Sequence, residues 1–483
     1  MELKELKKIA TDAIEENKEV FVSLSDKIWE YAELSLKEFR SAELYLKVLN
    51  ELGFETESEV AGIKTAFLGK WGSGRPYIAI LGEYDALSGL SQVGGIAEKK
   101  EVEKGGNGHG CGHNMLGAGA LAAAYGVKEY LKKTGKTGTV FFFGTPGEEG
   151  GAGKAFMAKQ DIFRDMDAAL TWHPWDVNEV TTGTCNSCIQ VLYKFKGVAS
   201  HAAGDPEHGR SALDAVELMN TGVQYLREHT KDDARIHYAI VDGGGLSPNV
   251  VQPTASVLYM VRSKLVKDAL ALQARVDKIA DGAALMTETE YERVFIDGCS
   301  GTVPNHTLEA LMYDNLLNTP LPTYTVEEWN YAEKIKATYD TYGKVPSLAA
   351  EYDAEAKKEV EEKTKGGLLA VNNFVAPLYR GEAFSPGSTD VGDVSWQTPT
   401  AQVYTACFTS GAPGHSWQNV SLGKSSIGHK GMLLAGRVIA NTAVELFENP
   451  EILDKAKQEF SERTKSGYTS PIPDGEYAKP VEI

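Results

Sequence analysis

The stretch Tyr77-Ile-Ala-Ile-Leu-Gly82 decides the fold, because it is an unbroken apolar run of strand length. Gly138-Thr-Val-Phe-Phe-Phe-Gly144 and Ala168-Ala-Leu-Thr-Trp172 follow the same pattern. Strands that are apolar on both faces are typical of a parallel sheet covered by helices. An alanine-rich helix is predicted between the first two strands, over 118–131. The alternation therefore predicts an α/β/α domain with a mostly parallel sheet.

A second pattern begins at residue 189 and ends near residue 303. Its predicted elements are a strand at 189–196, a helix at 211–229, strands at 234–241 and 255–262, a helix at 265–286 and a strand at 291–296. The order β-α-β-β-α-β is that of a ferredoxin-like α+β domain. We expect this domain, residues 189–303, to be inserted into a discontinuous larger domain formed by residues 1–188 and 304–483.

The composition excludes several classes of function. The 483 residues hold 49 Lys and Arg against 67 Asp and Glu, a formal net charge of −18. This acidic balance argues against a nucleic-acid partner and against a basic membrane anchor. There is no apolar run of 18 residues and no secretory signal pattern, so no membrane span is expected. Five cysteines are too few for a disulfide framework, and we expect a cytoplasmic protein.

The glycine-rich loop Gly105-Gly-Asn-Gly-His-Gly-Cys-Gly-His-Asn114 carries a candidate metal-binding motif. It places His109, Cys111 and His113 at two-residue spacing. Imidazole and thiolate are preferred ligands of divalent transition metals, and the glycines allow such side chains to converge. The loop therefore predicts a metal site just before the alanine-rich helix.

Acidic and histidine side chains follow the buried strands. Glu83 and Asp85, then the pair Glu148 and Glu149, and then His173 come at or after strand ends. Ligands of open α/β sheets gather at the carboxyl ends of the strands, so these groups should share one edge. One glutamate of the pair can bind metal while the other serves as a general base for water. The alternative is a solvated turn.

Three other features are ambiguous by themselves. His415, in a Gly/Pro loop, is a candidate metal ligand, and His201 can donate a hydrogen bond to a reacting carbonyl or be an ordinary turn histidine. Cys185 and Cys188 form a C-x-x-C pattern without a partner motif, so a redox or zinc role is disfavoured.

Together these motifs resemble the M20 metallopeptidase family, in its amidohydrolase branch. The matching residues are His109-Gly-Cys-Gly-His-Asn114, Glu148-Glu149, His173, Ser200-His201 and His415. The resemblance implies two divalent ions (zinc or manganese, with cobalt as a further candidate) bridged by Cys111. It implies His113, Glu149, His173 and His415 as the other ligands, and Glu148 as the general base.

The resemblance also implies the roles of the inserted domain. It would be a lid and dimerisation domain, and His201 would reach a partner's site to stabilise the oxyanion. Asn249 and Arg262 would hold the substrate's carboxylate, although a strand-end surface charge is the alternative for Arg262. Two positions depart from the family pattern. Asn114 replaces an acid, which should alter support of the metal-binding loop, and Gly110 replaces an alanine, which should be tolerated.

The activity that the resemblance implies is hydrolysis of the amide bond in a small anionic N-acyl or N-aroyl amino acid. The expected assembly is a homodimer through the lid, or a heteromer with a related subunit. The resemblance to one member of the branch covers essentially the whole chain. It is carried by three motifs: Gly387-Ser-Thr-Asp-Val-Gly-Asp-Val-Ser-Trp396, Thr171-Trp-His-Pro-Trp175 and Ser247-Pro-Asn-Val-Val251. The alternatives are a hydrolase of other N-acyl or indole-acetyl amino acids, a dipeptidase, a non-catalytic partner subunit and a thiol-redox protein.

Overall fold

The computed structural model describes residues 1–340, 354–379 and 382–480. Its strands are β1 Glu55–Ser58, β2 Phe67–Ser73, β3 Tyr77–Gly82, β4 Gly138–Gly144, β5 Ala168–Trp175, β6 Val177–Val180, β7 Thr184–Cys185, β8 Ser187–Lys196, β9 Arg235–Asp242, β10 Thr254–Ser263, β11 Glu290–Cys299, β12 Asn372–Val375, β13 Phe384–Ser385 and β14 Thr400–Ala406. Its helices are α1 Leu3–Glu16, α2 Lys18–Tyr31, α3 Phe39–Glu51, α4 His113–Thr134, α5 Gly153–Lys159, α6 Ala212–Leu226, α7 Val266–Thr287, α8 His306–Asn318, α9 Val326–Lys336, α10 Ala354–Lys363, α11 Val391–Ser395, α12 Trp417–Leu422, α13 Ser426–Glu448 and α14 Pro450–Arg463.

The larger sheet is parallel at its centre. Within the described residues its order is β1-β2-β4-β3-β5-β14-β6-β12. The neighbours β4, β3, β5 and β14 run parallel, while β1, β2 and the β14–β6 pair add antiparallel contacts. The predicted α/β domain with a mostly parallel sheet is confirmed.

The alternating side chains of the central strands build a core on each face of this sheet. Ile78 and Ile80 of β3 belong to the hydrophobic core shared with α1, α4 and α13. Ala79 and Leu81 of the same strand belong to the opposite core, which includes α5. Because successive strand residues face opposite sides, one apolar strand can serve both layers.

The start of α4 lies very close to the end of β3. A Cβ at Gly117 would come 2.2 Å from Oη of Tyr45 and 2.6 Å from the carbonyl oxygen of Glu83. Only glycine allows this approach. The close contact places His113, the first residue of α4, beside the acidic residues that follow β3.

The smaller sheet is antiparallel, with the order β11-β8-β10-β9. The helices α6 and α7 share a core with its strands, and the chain order β8-α6-β9-β10-α7-β11 is the predicted β-α-β-β-α-β arrangement. The separate α+β domain is therefore present, while the exact boundaries at 189 and 303 remain a prediction.

The described parts of the last third of the chain largely follow their sequence pattern. The polar segment 326–367 contains α9 and α10, and its residues 341–353 lie outside the described residues. The prolines after Ser466 predict an extended surface tail, and residues 467–480 are irregular and exposed or half-buried except for Pro471 and Ile472. Within this tail, the Tyr468 hydroxyl donates to Asp393 Oδ1 at 2.8 Å. Among the described residues, no helix combines the length and hydropathy of a membrane span.

Candidate metal centre

The predicted ligand residues come together at the carboxyl edge of the larger sheet. The ligand atoms of Cys111, His113 and His173 all lie within 4.8 Å of one another. Those of Cys111, Glu149 and His415 form a second group by the same measure. The two groups share only Cys111, whose thiol thus stands between two sets of potential metal ligands. His173 lies within β5 rather than after it, because that strand extends to Trp175.

Hydrogen bonds fix which ring nitrogen each histidine offers. Nδ1 of His113 lies 2.8 Å from Oδ1 of Asp85, and Nδ1 of His173 lies 2.8 Å from the carbonyl oxygen of Pro174. Both acceptors require a proton on Nδ1, which in the neutral ring leaves the Nε2 lone pair available. Nε2 of His173 faces Sγ of Cys111 at 3.3 Å. Both rings are therefore oriented as metal ligands.

Several buried polar atoms at this edge lack a hydrogen-bond partner among the described residues. They are Nε2 of His113, Oε1 of Glu149 and Oε2 of Glu83. Buried polar atoms are normally paired, because losing water without a new partner is costly. Nitrogen, sulfur and carboxylate donors of this kind suit a divalent transition metal. The donor set therefore fits the two ions that the family pattern implies.

The second group of ligands includes an exposed histidine. Nε2 of His415 is 3.5 Å from Oε1 of Glu149, and the His415 side chain is 55% exposed. The backbone of His415 has a φ of 50°, in the left-handed region that residues other than glycine seldom adopt. A Cβ at Gly110 would lie only 3.2 Å from Cα of His415, so the glycine leaves room for the loop that carries this residue.

The electrostatics of the edge favour positive charge. Burial, followed by repulsion from Glu83, Glu149 and Asp390, raises the pKa of Glu148 well above its usual range. Burial and the nearby carboxylate of Glu149 also raise the pKa of the Cys111 thiol. Cations held between these groups would relieve the repulsion and favour the ionised forms.

Two buried side chains missed by the sequence analysis, Lys154 and Asp390, lie beside Glu83. The Lys154 ammonium is 2.7 Å from Oε1 of Glu83 and 2.6 Å from Oδ1 of Asp390. Burial lowers the pKa of Lys154, but the carboxylates of Asp390, Glu83 and Glu148 raise it more, so the side chain is charged. A lysine within the apolar run Ala152–Ala158 was the available signal.

Other residues of the glycine-rich loop face away from this edge. Nε2 of His109 bonds to the carbonyl oxygen of Ile28 at 3.0 Å, so the metal role suggested by its spacing is not supported. The amide of Asn114 donates to Oγ of Ser25 and to the carbonyl oxygen of Gly423, both at 3.0 Å. Asn114 therefore joins α4 to neighbouring segments, and its described hydrogen bonds do not reach the metal ligands.

The two cysteines of the C-x-x-C pattern have different neighbours. Sγ of Cys188 lies 3.3 Å from Sγ of Cys299, which faces it across β8 and β11. Cys185 belongs to a separate strand, β7, and all five cysteines are free thiols. The C-x-x-C spacing therefore does not mark a thiol pair.

The candidate residues of the small domain, His201, Asn249 and Arg262, lie on two paired loops and on one strand. His201 bridges with Val250, and the backbone N–H of Ala202 donates to the carbonyl oxygen of Asn249 at 2.9 Å, so the His201 and Asn249 loops run together. Neither residue belongs to the two Cys111 groups. Arg262, the last residue but one of β10, is half-buried, and its Nη1 donates to Oγ of Ser388 at 2.6 Å. Arg262 is therefore more than a surface charge.

Comparisons with known proteins find relatives along most of the chain. The family described as Peptidase family M20/M25/M40 matches residues 79–422. A subunit of the p-aminobenzoyl-glutamate hydrolase of Escherichia coli (strain K12) is 45% identical over 487 residues, which cover 99% of this chain and 100% of that protein. It is the member that the three longer motifs resemble, so this narrower resemblance is confirmed.

Two further comparisons extend the match. The Xaa-Arg dipeptidase of Mus musculus is 28% identical over 476 residues, 95% of this chain and 93% of that protein. A solved structure of the Bacillus subtilis YXEP protein, described as a dinuclear metal binding peptidase from the M20 family, aligns with a TM-score of 0.52. That alignment covers 90% of this chain and 99% of the other at 16% identity, and it supports the fold.

Proposed function

The chain belongs to Peptidase family M20/M25/M40 and is a hydrolase of amide bonds, and we propose that its substrate is an N-acyl or N-aroyl amino acid such as p-aminobenzoyl-glutamate. The observation that carries the proposal is the position of Cys111 in two ligand groups, one with His113 and His173, the other with Glu149 and His415. These five residues would hold two divalent ions. Zinc, manganese and cobalt are the candidates, since thiolate favours zinc while imidazole and carboxylate accept manganese.

When bound, the two ions would polarise the amide carbonyl and make water more acidic. Glu148 is placed to take the proton of the attacking water, since it lies on the same turn as Glu149 but its carboxylate groups with Glu83 and His113 and not with Cys111. It would then return the proton to the leaving amine nitrogen. Glu148 is half-buried, and this supports the role, because a carboxylate partly removed from water is a stronger proton acceptor.

We propose His201 as the donor that stabilises negative charge on the carbonyl oxygen. Its Nδ1 accepts from the backbone N–H groups of Ala203 and Gly204, at 3.2 and 2.9 Å. The neutral ring must then carry its proton on Nε2, which is the form that can donate to an oxyanion. The exposed position of His201 on the small domain suits a role in a partner's site.

A homodimer through the small domain is the proposed assembly. The strand β9 forms an edge of the small sheet, and its Tyr238 and Ile240 are 42% and 49% exposed. An apolar edge strand with unpaired backbone groups is suited to pairing with a second copy. A heteromer with a related subunit is the alternative, because the Escherichia coli relative is described as one subunit of its hydrolase. The free cysteines support the proposed cytoplasmic location.

Asn249 and Arg262 are the proposed anchors for the substrate's free carboxylate. The planar guanidinium can make two parallel hydrogen bonds to a carboxylate, which an ammonium cannot. The contact of Arg262 with Ser388 supports this assignment, because it brings the arginine from the small domain to a segment of the larger one. A local positive charge is also needed to attract an anion to an acidic protein.

A dipeptidase is the second candidate, favoured by the 28% identity to the Xaa-Arg dipeptidase. Both activities are tested by incubating the manganese- or zinc-loaded protein with p-aminobenzoyl-glutamate, other N-acyl amino acids and dipeptides ending in arginine. We expect p-aminobenzoyl-glutamate to have the highest kcat/KM. The analogue in which carboxamides replace its free carboxylates should be cleaved poorly. Faster cleavage of the arginine dipeptides would favour the second candidate. No cleavage of any compound would contradict the proposal.

A further inference from the structure

A buried lysine lies between the metal-binding edge and the segment 387–396. Lys154 is the second residue of α5, and its side chain is 0% exposed. Its ammonium contacts Oε1 of Glu83 and Oδ1 of Asp390, and its backbone N–H donates to Oδ2 of Asp390 at 2.9 Å. Asp390 therefore holds both the main chain and the side chain of Lys154. Such tight pairing is what a buried ammonium requires.

On one side, this contact reaches a proposed metal ligand. Oε1 of Glu83 is taken by Lys154, while Oε2 faces Nε2 of His113 at 3.3 Å. Neither Oε2 nor Nε2 has a hydrogen-bond partner among the described residues. Lys154 therefore fixes the second oxygen of Glu83 beside Nε2 of His113, and these two atoms form, with the carboxylate of Glu148, a further group of potential ligand atoms within 4.8 Å of one another.

On the other side, the contact reaches the proposed substrate anchor. Asp390 lies two residues after Ser388, whose hydroxyl accepts a hydrogen bond from Arg262. The double hydrogen bond from Lys154 to Asp390 fixes the segment that carries Ser388. A shift of this segment would move the surface against which the guanidinium of Arg262 rests.

We propose that Lys154 is a positioning residue that joins the two parts of the site. Through Glu83 it holds a carboxylate oxygen beside Nε2 of His113, where both atoms are available to one ion, and through Asp390 it sets the place of Arg262 for the substrate's carboxylate. The first role depends only on the metal ligands, while the second rests on the proposed function.

The metal role is tested with Lys154→Met, which keeps the length of the side chain but removes its charge. We expect manganese affinity, measured by calorimetric titration of the metal-free protein, to fall about tenfold, the usual effect of removing a residue that orients a ligand. Lys128→Met is the matched control, because Lys128 is also buried but pairs with Glu129 on α4. Unchanged affinity in Lys154→Met would overturn the proposal, whatever the substrate.

The substrate role is tested with Asp390→Asn, an isosteric change that leaves the pair of Lys154 with Glu83 intact. The variant Asp390→Asn also tests the proposal in case Lys154→Met does not fold. We expect KM for p-aminobenzoyl-glutamate to rise about tenfold, with kcat and manganese affinity changed by less than about threefold. A merely structural role would lower stability without this split, and an unchanged KM would refute the link to Arg262. If the wild-type protein cleaves no N-acyl amino acid, the proposed function fails, and the titration of Lys154→Met still decides the metal role.

Discussion

Sγ of Cys111 lies 3.3 Å from Nε2 of His173, and the two atoms come from segments 62 residues apart in the chain. The thiol reaches this position from the loop before α4, while the imidazole projects from β5. The same thiol lies within 4.8 Å of the ligand atoms of Glu149 and His415. One sulfur atom is therefore available to both groups of ligands, as a bridging thiolate requires.

Replacing this sulfur should affect both ions. We expect Cys111→Ala to lower metal affinity by roughly tenfold or more, because a direct ligand should matter at least as much as a residue that orients one. Elemental analysis after dialysis measures the metal content. Cys407→Ala is the matched control, since Cys407 is a buried free thiol outside both ligand groups. Unchanged content of two ions in Cys111→Ala would refute the bridging role.

The proton-transfer role of Glu148 predicts a loss of activity without a loss of metal. Glu148→Gln keeps the shape of the side chain but cannot accept a proton, so kcat should fall by about 10² to 10⁴. Glu149→Gln should differ by losing metal, because Glu149 belongs to a Cys111 group. Hydrolysis assays paired with elemental analysis separate the two residues. Retained turnover in Glu148→Gln would show that another group is the base.

Asn114 stands where the family pattern has an acid, and its buried hydrogen bonds predict that an acid here would lower stability. Its amide donates to Ser25 and to the carbonyl oxygen of Gly423, and a carboxylate cannot make these donations. We expect Asn114→Asp to lower the free energy of unfolding by about 1–3 kcal/mol, measured by urea denaturation.

The control for this change is Asn50→Asp, because the amide of Asn50 donates to the carbonyl oxygen of Leu46 at an exposed position where water can replace it. Equal effects at the two positions would show that the buried contacts of Asn114 contribute nothing specific.

The sequence allowed prediction of those parts of the structure that depend on local pattern. The apolar runs that became β3, β4 and β5 are visible without knowledge of their neighbours. Their common direction brings the residues at their carboxyl ends to one edge, which is why Glu148, Glu149 and His173 could be placed together. The antiparallel strands β1 and β2 were missed, since much of their surface is exposed and their residues carry no continuous apolar signal.

The contacts that the sequence did not reveal join distant segments. Lys154 and Asp390 are 236 residues apart, and Arg262 and Ser388 are 126 residues apart. A single lysine or aspartate carries no local sign of its partner, because pairing depends on how whole domains pack. The spacing of the histidines also could not show which way the His109 side chain points, because its hydrogen bond to Ile28 depends on where α2 packs.

The raised pKa of Asp297 predicts how the free energy of unfolding depends on pH. It is buried in β11, and burial, followed by repulsion from Asp390, raises its pKa from 3.8 to about 7, although Arg262 acts in the opposite direction. A carboxyl group with a higher pKa in the folded state favours folding while it is protonated. Its contribution should therefore be largest below about pH 4, decline as the pH rises towards 7, and be lost above that value.

Asp297→Asn should remove this dependence, because asparagine keeps the shape of the protonated side chain and does not ionise. We expect the variant to be more stable than the wild type at pH 8, by at most about 4 kcal/mol, and nearly equal at pH 4. Urea denaturation at both pH values, with the same metal loading, measures the difference. Glu292→Gln, an exposed change on the same strand, is the control and should leave the pH profile unchanged. Parallel pH profiles of wild type and Asp297→Asn would show that Asp297 has the same affinity for protons in the folded and unfolded chains.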